Sequence, residues 1–163
     1  MLEHTTSPYT WAHNTGGSRT WTEAQEEATN LEGLGFEEGA QGFYEGPTRE
    51  SHGFHREAVS VAEVFATAAA AETEMRDSVS SARTNYEAPE GVEVTDRAIP
   101  GAVTMGNFSP RRPGATDNVF FITGRCFFLI GNAVHSARSR AAAARAPLAA
   151  ALALYRRDKR LCA

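Results

Sequence analysis

The amino-acid sequence predicts an α+β fold, an antiparallel β-sheet with a central hairpin at residues 118–134 that is flanked by two or three α-helices. In the hairpin two apolar runs flank Gly124-Arg125, a pattern typical of a type II′ turn with glycine at positive φ. Short connections between the strand-like segments favour antiparallel pairing. A membrane span here is a poor alternative, because about 20 uninterrupted apolar residues are needed and Arg125 lies in the middle.

Length and charge indicate one globular domain with no global affinity for polyanions. A chain of 163 residues is long enough to bury roughly 68–70% of its unfolded surface as one domain. We expect residues 1–19 to form a polar N-terminal arm and residues 20–163 a single α+β domain. The net charge of −4 gives no reason to expect nucleic acid or an anionic membrane as partner.

The first half of the chain predicts the order helix, strand, strand, helix. Thr22 and Gln25 have the spacing of a capping box, so the first helix is expected from about Thr22 to Leu34, with Gly35 as its stop. Strands are predicted at residues 36–45 and 54–65. A helix follows at residues 67–85, where one apolar stripe leaves Glu72, Glu74, Arg76 and Asp77 free to face water.

The second half predicts further strands and a closing helix. Val92–Val94 and Ala102–Phe108 are short strand candidates, and Ser109–Asp117 is a loop by composition. The hairpin comes next, followed by an Ala-rich helix containing Pro147. Pro147 either opens that helix as its first residue or kinks a longer helix that starts near Ser139.

The two cysteines bear on the cellular compartment. Cys126 and Cys162 allow one disulfide across about 36 residues, which in the chain-entropy model contributes about 3–4 kcal/mol. The alternative is two separate thiols, buried or in a frayed end. Residues 1–30 lack a basic segment followed by an apolar core, so no signal peptide is predicted within them.

Candidate ligand-binding residues are aromatic or basic. The N-terminal third carries aromatic side chains that either line a groove over the sheet or belong to the core, among them Trp11, Trp21, Phe43 and Tyr44. Arg111 and Arg112 belong to the loop between strands, where a pair of arginines either grips a carboxylate or phosphate or is simply solvated.

Metal and catalytic chemistry find little support in the sequence. His52 and His55 are weak metal candidates, because residues three apart in an extended segment point to opposite faces. A Cys126–His135 nucleophile pair is conceivable, although a disulfide or core role for Cys126 is the favoured alternative. The sequence also lacks the nucleophile elbow, the phosphate-binding loop and the His-Glu-x-x-His zinc motif, so no metal or cofactor is predicted.

Four segments resemble small secreted or lipoprotein-type domains of high-GC actinobacteria, namely Leu31–Phe36, Val59–Ala71, Asn118–Ile130 and Ala151–Arg157. Such domains are similar to the Mog1/PsbP fold, in which helices flank an antiparallel sheet. The resemblance implies an exported location, either secreted or membrane-anchored in the full-length form. It assigns no reaction, since the matching motifs are structural.

Together these observations predict a non-enzymatic extracytoplasmic binding domain. Its partner would be a protein, a cell-envelope component or a small apolar ligand. The alternative is a small enzyme of a specialised biosynthetic pathway, with an apolar pocket and carboxylates acting as acid and base. No transmembrane segment is predicted.

Overall fold

The computed structural model describes residues 3–15, 21–45, 56–85, 98–109, 114–134, 140–158 and 162. Within these ranges the chain forms six strands and four helices. In chain order they are β1 (Glu3–Thr5), α1 (Pro8–Thr15), α2 (Trp21–Gly33), β2 (Phe36–Glu45), β3 (Arg56–Phe65), α3 (Ala68–Asn85), β4 (Val103–Ser109), β5 (Gly114–Thr123), β6 (Cys126–Val134) and α4 (Arg140–Asp158).

The six strands form one antiparallel sheet in the order β1-β2-β3-β6-β5-β4. The β2–β3 and β5–β6 hairpins meet at the centre, where Val61 pairs with Leu129. The predicted α+β class and antiparallel pairing are confirmed. Within the segment expected to be a polar arm, the described residues form β1, which pairs with β2, and α1, which packs on α2.

The sheet is the middle of three layers, with α1, α2 and α3 on one face and α4 on the other. Side chains alternate between the two faces along each strand. Phe120 and Phe127 point to the face that carries α1, α2 and α3. Phe121 and Phe128 point to the opposite face and stack on each other near α4. Burial on both faces explains why the hairpin is a nearly continuous apolar run instead of an alternating one.

The hairpin turn has the predicted geometry. Gly124 has a φ of 52° and Arg125 a negative φ, as a type II′ turn requires and a type I′ turn does not. The turn also organises its surroundings, because the Arg125 N–H donates to the Cys162 carbonyl at 2.9 Å and the Arg125 carbonyl accepts from the Phe65 N–H at 3.0 Å. The Arg125 guanidinium binds the Phe65 carbonyl and pairs with Glu37.

The disulfide predicted between Cys126 and Cys162 is confirmed, with their Cα atoms 5.5 Å apart. Cys126 begins β6, and Cys162 lies beyond the end of α4. The disulfide therefore attaches the C-terminal segment to the centre of the sheet, beside the hydrogen bond from Arg125.

Two local predictions are wrong or only partly right. The loop predicted at Ser109–Asp117 is sheet at both ends, because β4 extends through Ser109 and β5 begins at Gly114. Asp117 pairs with Asn132 and Gly106 in the ladder and is 1% exposed, so burial in the sheet overrides the turn-like composition. Glu74 is buried instead of facing water.

Two parts of the predicted strands lie outside the described residues. They are the candidate strand Val92–Val94 and residues 54–55 at the start of the second predicted strand. Of the two alternatives at Pro147, the structure has the longer helix, which begins at Arg140 and continues through this buried proline.

Candidate functional site

A cleft of about 450 Å³ separates α2 from α3 on the face of the sheet that carries three helices. α2 packs on α1 and β2, whereas α3 packs over β3, β4, β5 and β6. Within the described part of the chain no Cα atom of α2 lies within 8 Å of a Cα atom of α3. The gap between them leaves part of the sheet as the floor of a solvent-open cleft.

Each wall of the cleft is one stripe of a helix. Glu27 and Asn30 on α2 and Leu34 directly after it lie three and four residues apart, a spacing that places them on one side of the helix. The α3 wall has the same periodicity and consists of Glu74, Asp77, Ser78, Ser81 and Ala82. The two walls therefore present mostly polar side chains to each other.

The floor of the cleft comes from β5 and β6. Phe120, which is 2% exposed, and the half-buried Leu129 make it apolar. Asn118 adds one amide group beside them. Its ladder partner Gly131 makes room for it, because a Cβ at Gly131 would lie 2.5 Å from the Asn118 Oδ1 and 2.6 Å from the Val59 Cγ1.

The charge of the cleft is one-sided. Glu27, Glu74 and Asp77 are acidic, and no basic side chain is among the described residues that line it. Glu74 is 8% exposed, and the Ser78 hydroxyl donates to its Oε1 at 2.8 Å. This bond holds the Glu74 carboxylate at one position on the wall.

Metal chemistry is not indicated by the described residues. Among them, no group of three or more His, Cys, Asp or Glu side chains is arranged to hold a metal ion. What the cleft combines instead is an apolar floor, hydrogen-bonding walls and negative charge, a lining suited to an organic ligand.

A second, smaller groove of about 280 Å³ lies on the opposite face, beside the end of α4. It is lined chiefly by small or apolar residues, among them Ala40, Ala62, Val64 and Phe128, with the disulfide at its side. Asp158 also borders it and receives two hydrogen bonds from Arg157. The hydrogen bond and the charge of Asp158 raise the pKa of Arg157.

Trp11 belongs to the core. Its side chain is 1% exposed, its ring packs against Phe36 and Gly39, and its Nε1 donates to the Glu63 Oε1 at 2.7 Å. The acceptor Glu63 is itself buried, at 6% exposed. The tryptophan therefore attaches α1 to the sheet.

The other candidate residues are placed only in part. The backbones of Trp21, Phe43 and Tyr44 belong to α2 and β2, but their side chains are outside the described part of the chain. Arg111, Arg112, His52 and His55 are also outside it. The disulfide removes the thiol that a Cys126–His135 nucleophile pair would need.

Sequence reasoning missed the cleft because its signal is not specific. Glu74, Ser78 and Ser81 repeat at intervals of four and three, as do many solvated helix faces. The two polar stripes become opposing walls only because the Cα atoms of α2 and α3 are more than 8 Å apart in the described structure.

Comparison with known proteins identifies no family for this chain. No protein-family model matches the sequence. No curated protein matches it either. Among solved structures, the chain is similar to the extracellular domain of PknH from Mycobacterium tuberculosis, with a TM-score of 0.48 and 10% sequence identity over 94% of this chain and 78% of that chain. None of the described helices combines the length and the apolar character needed to cross a membrane.

Proposed function

We propose that this chain is a non-enzymatic, extracytoplasmic binding domain whose ligand occupies the cleft between α2 and α3. The observation that carries the proposal is the cleft itself, because two helices on one sheet face leave Phe120 and Leu129 as the floor of an open cavity. Ligand sites are usually concave and partly apolar, with a few polar groups that orient the ligand.

The size of the cleft favours a small molecule, or one side chain of a larger partner, over a broad protein interface. Its volume of about 450 Å³ is within the range of roughly 300–1,000 Å³ that is typical of small-molecule sites. The apolar floor provides the area to be buried, and Asn30, Ser78 and Asn118 provide hydrogen-bonding groups that fix orientation.

The Cys126–Cys162 disulfide supports the extracytoplasmic location. Disulfides form and persist in oxidising compartments and are rare in the cytosol. Mass spectrometry of protein isolated from its native cells, with thiols alkylated before digestion, tests this. A linked peptide pair supports the location, and two alkylated cysteines contradict it.

The binding proposal is tested with three probes of matched length: hexan-1-ol, hexylammonium and hexanoate. Binding is measured by saturation-transfer NMR on the wild-type chain and on two tryptophan variants. Ser81→Trp fills the cleft, whereas Ser80→Trp changes an exposed neighbour on α3 that is not part of the lining.

We expect at least one probe to bind the wild type and the Ser80→Trp chain, and to lose its binding in Ser81→Trp. Circular dichroism checks that both variants are folded. If neither these three probes nor Nα-acetyl-lysine methylamide, which represents a lysine side chain of a larger partner, binds, or if binding is the same in both variants, the cleft is not the ligand site.

Three finer predictions remain. They are the similarity to the Mog1/PsbP fold, anion binding by Arg111 and Arg112, and the alternative of a small enzyme with acid–base carboxylates. For the enzyme alternative, Glu27 and Glu74 are the carboxylates of the cleft whose replacement would be examined first.

A further inference from the structure

We infer that the ligand of the α2–α3 cleft is an organic cation, an alkyl chain that ends in an ammonium group. This inference deepens the proposed function and rests on it. It follows from two properties of the same cavity, the apolar floor and the negative charge of both walls.

The floor selects the alkyl part of the ligand. Phe120 and Leu129 form the base, and the apolar surface extends to Leu34, directly after α2, and to Ala82 on α3. An alkyl chain lying on these four side chains buries apolar area, which is the general source of affinity in such sites. A fully hydrated inorganic ion would gain nothing from this surface.

The walls select the charge of the other end. Acidic side chains stand on both helices, Glu27 on α2 and Glu74 and Asp77 on α3. Arg76 and Arg83 are also on α3 but are not part of the described lining. A carboxylate or phosphate ligand would therefore be repelled from this cleft, whereas an ammonium is attracted.

Glu74 is the acidic residue best placed to orient the cation. It is 8% exposed, and burial strengthens its interaction with an opposite charge. The hydrogen bond from the Ser78 hydroxyl to Oε1 keeps the carboxylate ordered, so less side-chain entropy is lost when a ligand binds. A carboxylate accepts several hydrogen bonds at once, and an ammonium donates three.

The ammonium can belong to a free amine or to a lysine side chain. Hexylammonium represents the free amine, and Nα-acetyl-lysine methylamide represents lysine within a peptide. If both bind, the alkylammonium is recognised on its own. If only one binds, the inference holds and that probe identifies the source.

The charge test compares hexylammonium, hexan-1-ol and hexanoate by NMR titration, following the amide signals of residues 27–34 and 74–82. We expect hexylammonium to bind at least about tenfold more tightly than hexan-1-ol, and hexanoate not to bind. Raising the salt from about 0.01 M to about 1 M, which shortens the Debye length from about 30 Å to about 3 Å, should weaken hexylammonium alone.

Two substitutions on α3 test whether the preference for a cation comes from the carboxylate of the cleft. Glu74→Gln keeps the shape and an acceptor for Ser78 but removes the charge, so hexylammonium should lose about tenfold in affinity while hexan-1-ol is unaffected. Glu72→Gln removes an equal charge from an exposed position on the same helix and should change neither.

The outcomes separate the two proposals. If the three probes bind the cleft equally and Glu74→Gln changes nothing, the cleft is a ligand site and the inference of a cationic ligand is overturned. If none of the probes, the lysine derivative included, shifts the cleft signals, the proposed function fails as well.

Discussion

The indole Nε1 of Trp11 donates a 2.7 Å hydrogen bond to the Oε1 of Glu63, within the core between α1 and the sheet. The ring packs against Gly39 in β2, and Gly39 is the ladder partner of Glu63 in β3. One side chain of the N-terminal segment thus contacts two neighbouring strands. This contact gives the core a buried carboxylate with a defined donor.

Gly39→Ala is expected to destabilise the fold by about 1–3 kcal/mol, because overpacking a closed core forces its neighbours to shift. A Cβ at this position would lie 2.7 Å from the Cε3 of Trp11. Urea unfolding measures the change. Gly33→Ala is the matched control, since its Cβ would meet nothing within 4 Å and alanine is favourable in a helix. Equal stability of the two variants would contradict the packing of Trp11 on Gly39.

Trp11→Phe should cost about 1–3 kcal/mol in unfolding free energy, because it removes a donor from a buried acceptor. The acceptor is the Oε1 of Glu63. A double-mutant cycle with Glu63→Leu isolates the pair, and we expect a coupling of about 0.5–3 kcal/mol. Additive effects of the two substitutions would show that the hydrogen bond contributes nothing measurable.

Gly124→Val should destabilise the chain by about 1–3 kcal/mol, since a β-branched residue is strained at positive φ. The φ of Gly124 is 52°. Gly124→Asn is the control, because asparagine tolerates this region better. Thermal unfolding of both variants gives the comparison, and a valine variant as stable as the asparagine variant would rule out the turn assignment.

The sequence predicts the fold well where local chemistry and burial agree. The Gly124-Arg125 turn, the strand at residues 36–45 and the stop at Gly35 each follow from glycine geometry or apolar patterning, and each is present. Prediction fails at residues 114–117, where a turn-like composition belongs to a strand. There the β4 and β6 neighbours decide the structure, and they are distant in sequence.

The candidate site is less predictable from the sequence than the fold, because it depends on the separation between α2 and α3. The stripe of Glu27, Asn30 and Leu34 has the same appearance as an ordinary solvated helix face. Its function as a wall requires α3 to lie opposite α2 with no Cα atoms of the two helices within 8 Å, which is a tertiary relationship. The aromatic residues of the N-terminal third give a stronger sequence signal, yet Trp11 is core.

Removal of the disulfide should lower the unfolding free energy by about 3–4 kcal/mol, given a loop of 36 residues. The variant is Cys126→Ala with Cys162→Ala, compared with the wild type in urea with and without a reductant. Reduction should bring the wild type close to the variant and leave the variant unchanged. A wild type that is equally stable with and without the reductant would show that the bond does not stabilise the fold.

Leucine methyl NMR tests the central claim, that the α2–α3 cleft binds a ligand, most directly. Leu34 and Leu129 line the cleft, whereas Leu148 and Leu152 belong to α4 on the opposite face and serve as internal controls. Titration with hexylammonium should shift the methyl signals of Leu34 and Leu129 in a saturable way and leave those of Leu148 and Leu152 in place. Saturable shifts confined to Leu148 and Leu152, or no saturable shift with hexylammonium, hexan-1-ol, hexanoate or Nα-acetyl-lysine methylamide, would contradict the claim.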